Sequence, residues 1–312
     1  MGERPIGELA AIIIEQERTA LRSALKHAFS EADQPRPGSA LLQDRTLIRA
    51  QAKGRRRNLE GLAAGLIQEV VEILASTDQF ALALKEIYTA KDMLPLPASS
   101  MARSIHESVL AISRLYDPAL TSETRLARMA GVQLRNVQGS LVALEAFPRE
   151  YQQEKERVAG AIVGIRKYME EAGYVIHDRK DDPFVATGIS WGLVKETLRD
   201  NATATSLLYT PSIHYNWVLG SGAAHSKPWY IRGLSGPWET LVVGTLAPLL
   251  DISDLLIDII LGYVGLPVDS YHRSTHLRRC TLFHRTNPEI GFGSYEHYRQ
   301  QASSLHDPAV KR

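Results

Sequence analysis

A single cysteine, Cys280, is all the thiol chemistry this 312-residue chain contains. That excludes an internal disulfide and any metal cluster built on more than one thiolate, and it suits a reducing, cytoplasmic compartment. Charge of one sign is equally scarce. The 36 Lys and Arg residues stand against 35 Asp and Glu, for a formal net charge of +1. Bulk electrostatics therefore give no reason to expect nucleic acid or an anionic membrane, and such a partner would need a local basic patch. No export signal is visible, because the early apolar run 9–14 stops at Glu15. The other apolar stretch, 241–266, is interrupted by Pro248, Asp251, Asp254 and Asp258. A membrane span needs about 20 mostly apolar residues with few charges, so none is expected. Also missing are a phosphate-binding glycine loop, a nucleophile elbow, an HExxH helix and any internal repeat.

What is present is helical periodicity. Apolar residues make up 44% of the chain and recur every three or four positions through nearly every long segment, whereas runs alternating in the manner of strands are not seen. This predicts an all-α multi-helix bundle: an N-terminal helical arm in 1–57, a bundle core in 58–268, and a basic C-terminal helix with a polar tail in 269–312. Helices are expected over 6–31, over 40–91 with Leu59, Leu62, Leu66, Val70 and Leu74 buried, and over 100–116, capped by Ser99 or Ser100 after the two prolines of 94–97. Others are expected from Thr121 or Ser122 to about 147, and over 149–172 with Gly173 as the left-handed terminator. The stretch 177–183 reads as a loop and 186–199 as a short helix. Thr210 and Pro211 mark the start of a helix that ends before Pro228. The last two helices run over 237–263 and 269–285.

Two helices carry the chemistry. Arg103 and Glu107, at i and i+4, share one face. On the 211–226 helix, His214, Val218, Ser221 and His225 share another, and Gly220, Gly222, Ala223 and Ala224 clear bulk beside Ser221 so that a second helix or a ligand can approach. The two helices are expected to pack together, with Arg103 and Glu107 facing Ser221 and His225 across a small polar cavity. His225 would then be the acid/base group and Glu107 its orienting partner, with Arg103, Ser221, Tyr215 and His214 contacting a small polar ligand or nucleotide. Each residue also has a plainer reading. Arg103 and Glu107 could be an exposed ion pair, His225 a C-terminal cap, and the whole stripe a packing device in a non-enzymatic interaction module. These residues alone leave open whether the protein is an enzyme; no metal and no cofactor is called for.

The pattern Arg-x-x-x-Glu on one helix, followed by Tyr-x5-Ser-x3-His near a helix end, resembles a group of uncharacterised all-helical bacterial domains frequent in actinobacteria. Here the matching residues are Arg103, Glu107, Tyr215, Ser221 and His225. The resemblance spans about 60–265, implies an all-helical fold and carries no known activity. A weaker similarity is to the HEPN superfamily, helical bundles that include metal-independent, dimeric ribonucleases marked by Arg, four to six residues, then His. Arg279 to His284 and Arg278 to His284 have that spacing, although neither Arg is followed by the usual Asn, Asp or His. This similarity implies an RNA-acting protein, in defence or as a toxin, working as a homodimer.

Three further groupings were weighed. Asp251, Asp254 and Asp258 share a face, as in the Mg²⁺-binding helices of isoprenoid synthases, but read more simply as a solvated stripe. The basic residues Lys53, Arg55, Arg56 and Arg57 read as a solvated face. His272 and His276 have metal-ligand spacing without an evident third ligand.

Overall fold

The structure, a computed structural model, describes residues 6–91, 94–198, 201–233 and 238–286. Helices dominate it: α1 (Ile6–Ala32), α2 (Ala40–Arg49), α3 (Lys53–Thr89), α4 (Pro95–Tyr116), α5 (Ser122–Glu145), α6 (Gln152–Glu171), α7 (Ala202–Tyr209), α8 (His214–Ala224), α9 (Pro228–Gly233), α10 (Trp238–Val264) and α11 (Asp269–Thr286). Between α6 and α7 lies a small antiparallel sheet of β1 (Val175–Arg179), β2 (Asp182–Trp191) and β3 (Val194–Thr197), in the order β1-β2-β3. The all-α bundle read from periodicity is the architecture.

Local signals place several boundaries. The Thr121 hydroxyl accepts from the Thr124 amide at 3.2 Å and starts α5, while Ser39 does the same for α2 through the Leu42 amide at 3.3 Å. Gly173, at φ +90°, ends α6 in the left-handed region expected of it. Elsewhere the chain departs from its periodicity. The 40–91 stretch breaks at Ala50, Gln51 and Ala52, which lets α2 turn Asp44 and Ile48 into the protein. The helix expected to start at Ser99 or Ser100 begins earlier, at Pro95. Prolines are tolerated in a first turn because its amides have no intrahelical acceptor.

The largest correction is at 177–199, read as a loop and a short helix but built as the sheet. Ile176 pairs with Ile189, and Trp191 with Val194. Trp191, Val194 and Leu198 recur at spacings of three and four, which imitates a helix. The turn at Gly192, φ +59°, instead folds the chain back so that β2 and β3 pack on α5. The segment after this sheet also carries two short helices, α7 and α9, that periodicity did not separate.

One apolar cluster runs through the bundle, from Leu9, Ile13 and Ile14 of α1 to Leu282 of α11. The first helix, read as an arm, and the last thus share the core of 58–268. Among the described residues one helix, α10, is long and apolar enough to cross a membrane by length and composition, and half of that stretch is buried within the protein. It packs on α1, α4 and α11, and its Asp251 and Asp254 both lie 2.7 Å from the Arg279 guanidinium.

Candidate functional site

Helices α4 and α8 pack together as the sequence suggested, and the small residues of α8 are the reason. A β-carbon on Gly220 would stand 2.7 Å from the Arg103 Cβ and 3.1 Å from the Ser99 carbonyl; one on Gly222 would stand 2.6 Å from the Trp229 ring. Only glycine permits both approaches. Behind this contact, α4, α8, α9 and α10 enclose a cavity of about 380 Å³. Most of its wall is apolar, with Ala102, Leu219, Leu241, Leu249, Ile252 and Trp229 among the contributors. Polar groups enter through Ser99, Arg103, His106, Tyr215, Asn216, Tyr230 and Thr245.

Arg103 is held in place from two directions. Its Nε donates to Glu107 Oε1 at 2.9 Å, and its Nη2 lies 2.8 Å from the same oxygen. The guanidinium also sits 5.1 Å from the Trp217 ring centroid, and Trp217 Nε1 donates to Glu107 Oε1 at 3.1 Å. One carboxylate oxygen therefore fixes both the cation and the aromatic surface it lies on. Arg103 Nη1 is buried and has no acceptor among the described residues.

The second polar group is one that sequence reasoning passed over. His106 is 2% exposed, one turn from Arg103 on α4, and its Nε2 lies 2.8 Å from Thr210 Oγ1. Thr210 Oγ1 donates to the Ser206 carbonyl at 3.0 Å. We assign the Thr210 proton to the Ser206 carbonyl, so that the threonine oxygen accepts from His106 Nε2–H. Nδ1 is then the unprotonated nitrogen, and it makes no hydrogen bond within the protein. Burial, then the nearby charge of His214, push the His106 pKa down to about 4, so the ring is neutral at pH 7. From Thr210 the chain of hydroxyls continues to Ser206 Oγ at 3.1 Å and on to His214 Nδ1 at 3.0 Å. The His214 ring stacks on Trp217, with centroids 5.7 Å apart. His106 and Arg103 are thus the two cavity-facing ends of one polar network.

The remaining expected site residues divide. Tyr215 lines the cavity and is half exposed. His214 does not line it but reaches His106 through Ser206 and Thr210. Glu107 acts on Arg103 and Trp217. Ser221 is half-buried and lies outside the cavity wall. His225 is exposed as the C-cap of α8, and the structure does not bring it to Glu107. The Glu107 carboxylate is bonded at Trp217, and His225 lies eight residues further along, about 12 Å at 1.5 Å per helical residue. Thr210 was read as an N-cap, but it makes no side-chain cap; its hydroxyl is taken by His106 and Ser206, and 211–213 form a 3₁₀ turn. His106 was legible in principle, since it sits between Arg103 and Glu107 in the same motif. What singles it out is the partner from α7, which no local spacing reveals.

The acidic and basic stripes of the C-terminal half meet each other. Arg279, 3% exposed at its side chain, contacts Asp251 and Asp254, while His272 Nε2 stands 2.8 Å from Asp258 Oδ1. Arg278 Nε donates to the buried Glu17 at 2.5 Å. Asp254 is therefore covered by α11, whereas Asp251 and Asp258 are paired with it but keep much of their solvent exposure, and Arg279 is turned into the protein. Among the described residues no group of three His, Cys, Asp or Glu could hold a metal ion. The His284 side chain, the second half of the Arg-His spacing, lies outside the described residues. Compared with known proteins, the chain matches no family model, no curated protein and no solved structure.

Proposed function

We propose that this protein binds a small organic ligand in the cavity between α4, α8, α9 and α10, with Arg103 and His106 as its polar contacts. The observation that carries the reading is His106: a buried imidazole on the cavity wall whose Nε2 lies 2.8 Å from Thr210 Oγ1, so that in the tautomer assigned above Nδ1 is left as an acceptor. A ligand with an apolar body and one N–H or O–H group matches a wall that is apolar apart from a few convergent polar groups, the usual make-up of such sites. The volume, about 380 Å³, lies within the range of small-ligand pockets. A nucleotide with several phosphates fits less well, because among the described residues Arg103 is the one Lys or Arg on the wall.

Magnitudes favour binding over acid/base catalysis. A histidine lowered from 6.5 to about 4 holds a proton more weakly by about 3 kcal/mol, so His106 serves better as a hydrogen-bond acceptor than as a base that stores the proton it takes. The ligand-pocket reading of the sequence and its Arg103 are retained; the histidine role moves from His225 to His106.

Native mass spectrometry of the freshly purified full chain tests this. The expected result is a stoichiometric small molecule that is reduced at least about tenfold in His106→Phe and in Arg103→Gln, the loss of one good polar contact. A clean wild-type apoprotein, or an adduct undiminished in both folded variants, would overturn the reading.

A further inference from the structure

We propose that a second cavity, bounded by α1, α2, α3, α4, α5 and α10, is a separate binding site for a neutral, largely apolar molecule held through one hydrogen-bond-accepting oxygen by the phenol of Tyr116. This cavity measures about 520 Å³ and shares no wall residue with the first. Its lining is predominantly aliphatic, with Leu25, Ile67, Leu74, Leu126, Met129 and Ile260 among the contributors. Phe29 and Ile67 are each half exposed and mark where the cavity reaches the surface.

The polar groups near its wall differ in one respect. Tyr263 donates its hydroxyl to Asp44 Oδ2 at 3.0 Å, and Asp44 is further occupied by Arg125 at 2.6–3.1 Å. Tyr116 lies edge-on to Tyr263, with ring centroids 4.8 Å apart. It is 9% exposed, and among the described residues its hydroxyl has no hydrogen-bond partner. A phenol hydroxyl that no protein group engages, on a residue lining a mostly aliphatic cavity, leaves a donor for a molecule that fills the space and presents an oxygen to it.

The class of ligand follows from charge. Burial first, then the negative charges of Asp44 and Glu69, push the Tyr116 phenol well above its ordinary range, so it stays protonated and acts as donor. The ligand must therefore accept. Those same charges disfavour a carboxylate at that end. At the rim, Arg45 and Arg49 are balanced by Asp33 and Glu60, leaving no net cation to draw an anionic head. A ketone, aldehyde or ester oxygen on an aliphatic chain meets all three conditions.

Calorimetric titration of the full chain with 2-nonanone tests the site. The expected result is one saturable site whose affinity falls about tenfold in Tyr116→Phe and is abolished in Ala63→Phe, which puts a ring into the cavity. His106→Phe, in the first cavity, should leave the ketone affinity unchanged. Tyr116→Phe removes only an oxygen without a partner, so it should keep the wild-type Tm and remain interpretable even if Ala63→Phe does not fold. No saturable binding by the wild type, or equal affinity in Tyr116→Phe, would overturn the proposal. So would loss of binding in His106→Phe but not in Ala63→Phe, since the ketone would then be entering the first cavity. None of these results depends on whether the first cavity holds a ligand.

Discussion

Two buried arginines on neighbouring helices show how differently one side chain can be used. Arg125 of α5 is fully buried and fully satisfied: Asp44 takes Nε and Nη2, and the carbonyls of Asp117 and Leu120 take Nη1. Arg103 of α4, on the wall of a cavity, is buried less completely, shares one carboxylate oxygen with a tryptophan, and among the described residues keeps Nη1 without an acceptor. A buried charge whose every donor is paired is part of the scaffold; one left with a spare donor beside open space is available to a ligand. The same contrast separates Tyr263, bonded to Asp44, from Tyr116, whose hydroxyl has no hydrogen-bond partner among the described residues.

The contrast can be sharpened by removing the carboxylate from each pair. Asp44→Ala leaves Arg125 charged and unpaired in the core, and should lower stability by about 3–5 kcal/mol in urea denaturation. Glu107→Ala should lower it by about 1 kcal/mol or less, because that carboxylate is 39% exposed at its side chain. Equal losses would erase the distinction.

Acid should reveal the buried imidazole of the Arg103 network. The folded-state pKa of His106 is depressed, so below the unfolded value of 6.5 the unfolded chain takes up a proton that the folded chain does not. Its contribution is fully present above pH 6.5 and declines as pH falls toward about 4, by about 3 kcal/mol in total. Denaturation at several pH values should show this slope in the wild type and its loss in His106→Phe. A similar slope in both would assign the acid sensitivity in this range to other groups.

A further test concerns the contact that forms the site. Gly220→Ala places a methyl against the Arg103 Cβ and the Ser99 carbonyl, forcing α4 and α8 apart at about 1–3 kcal/mol. Thermal denaturation should show that loss, and native mass spectrometry should show the ligand of the first cavity depleted. A variant as stable and as fully loaded as wild type would mean that the helix contact does not set the site.

Much of the scaffold is legible because its signals are local. Thr121 caps α5 through an amide three residues away, Gly173 supplies the left-handed turn after α6, and the bounds of α1 and α11 follow their apolar stripes. The sheet is not legible, because the three-and-four spacing of Trp191, Val194 and Leu198 suits a helix equally well and the turn at Gly192 decides between them. The site is legible by half. Arg103, Glu107 and the small residues of α8 stand out by spacing, whereas His106 has no distinction until Thr210, 104 residues away, reaches its ring.

By itself, then, the sequence determined the helical class, several helix ends and the close approach of α4 and α8, since each depends on residues within a turn or two or on the absence of a side chain. The tertiary structure alone decided which polar groups are paired, which remain spare, and where two cavities lie among them. Burial, tautomer and unmet hydrogen-bonding capacity are properties of what surrounds a side chain, and in this protein those surroundings come from segments distant in the chain.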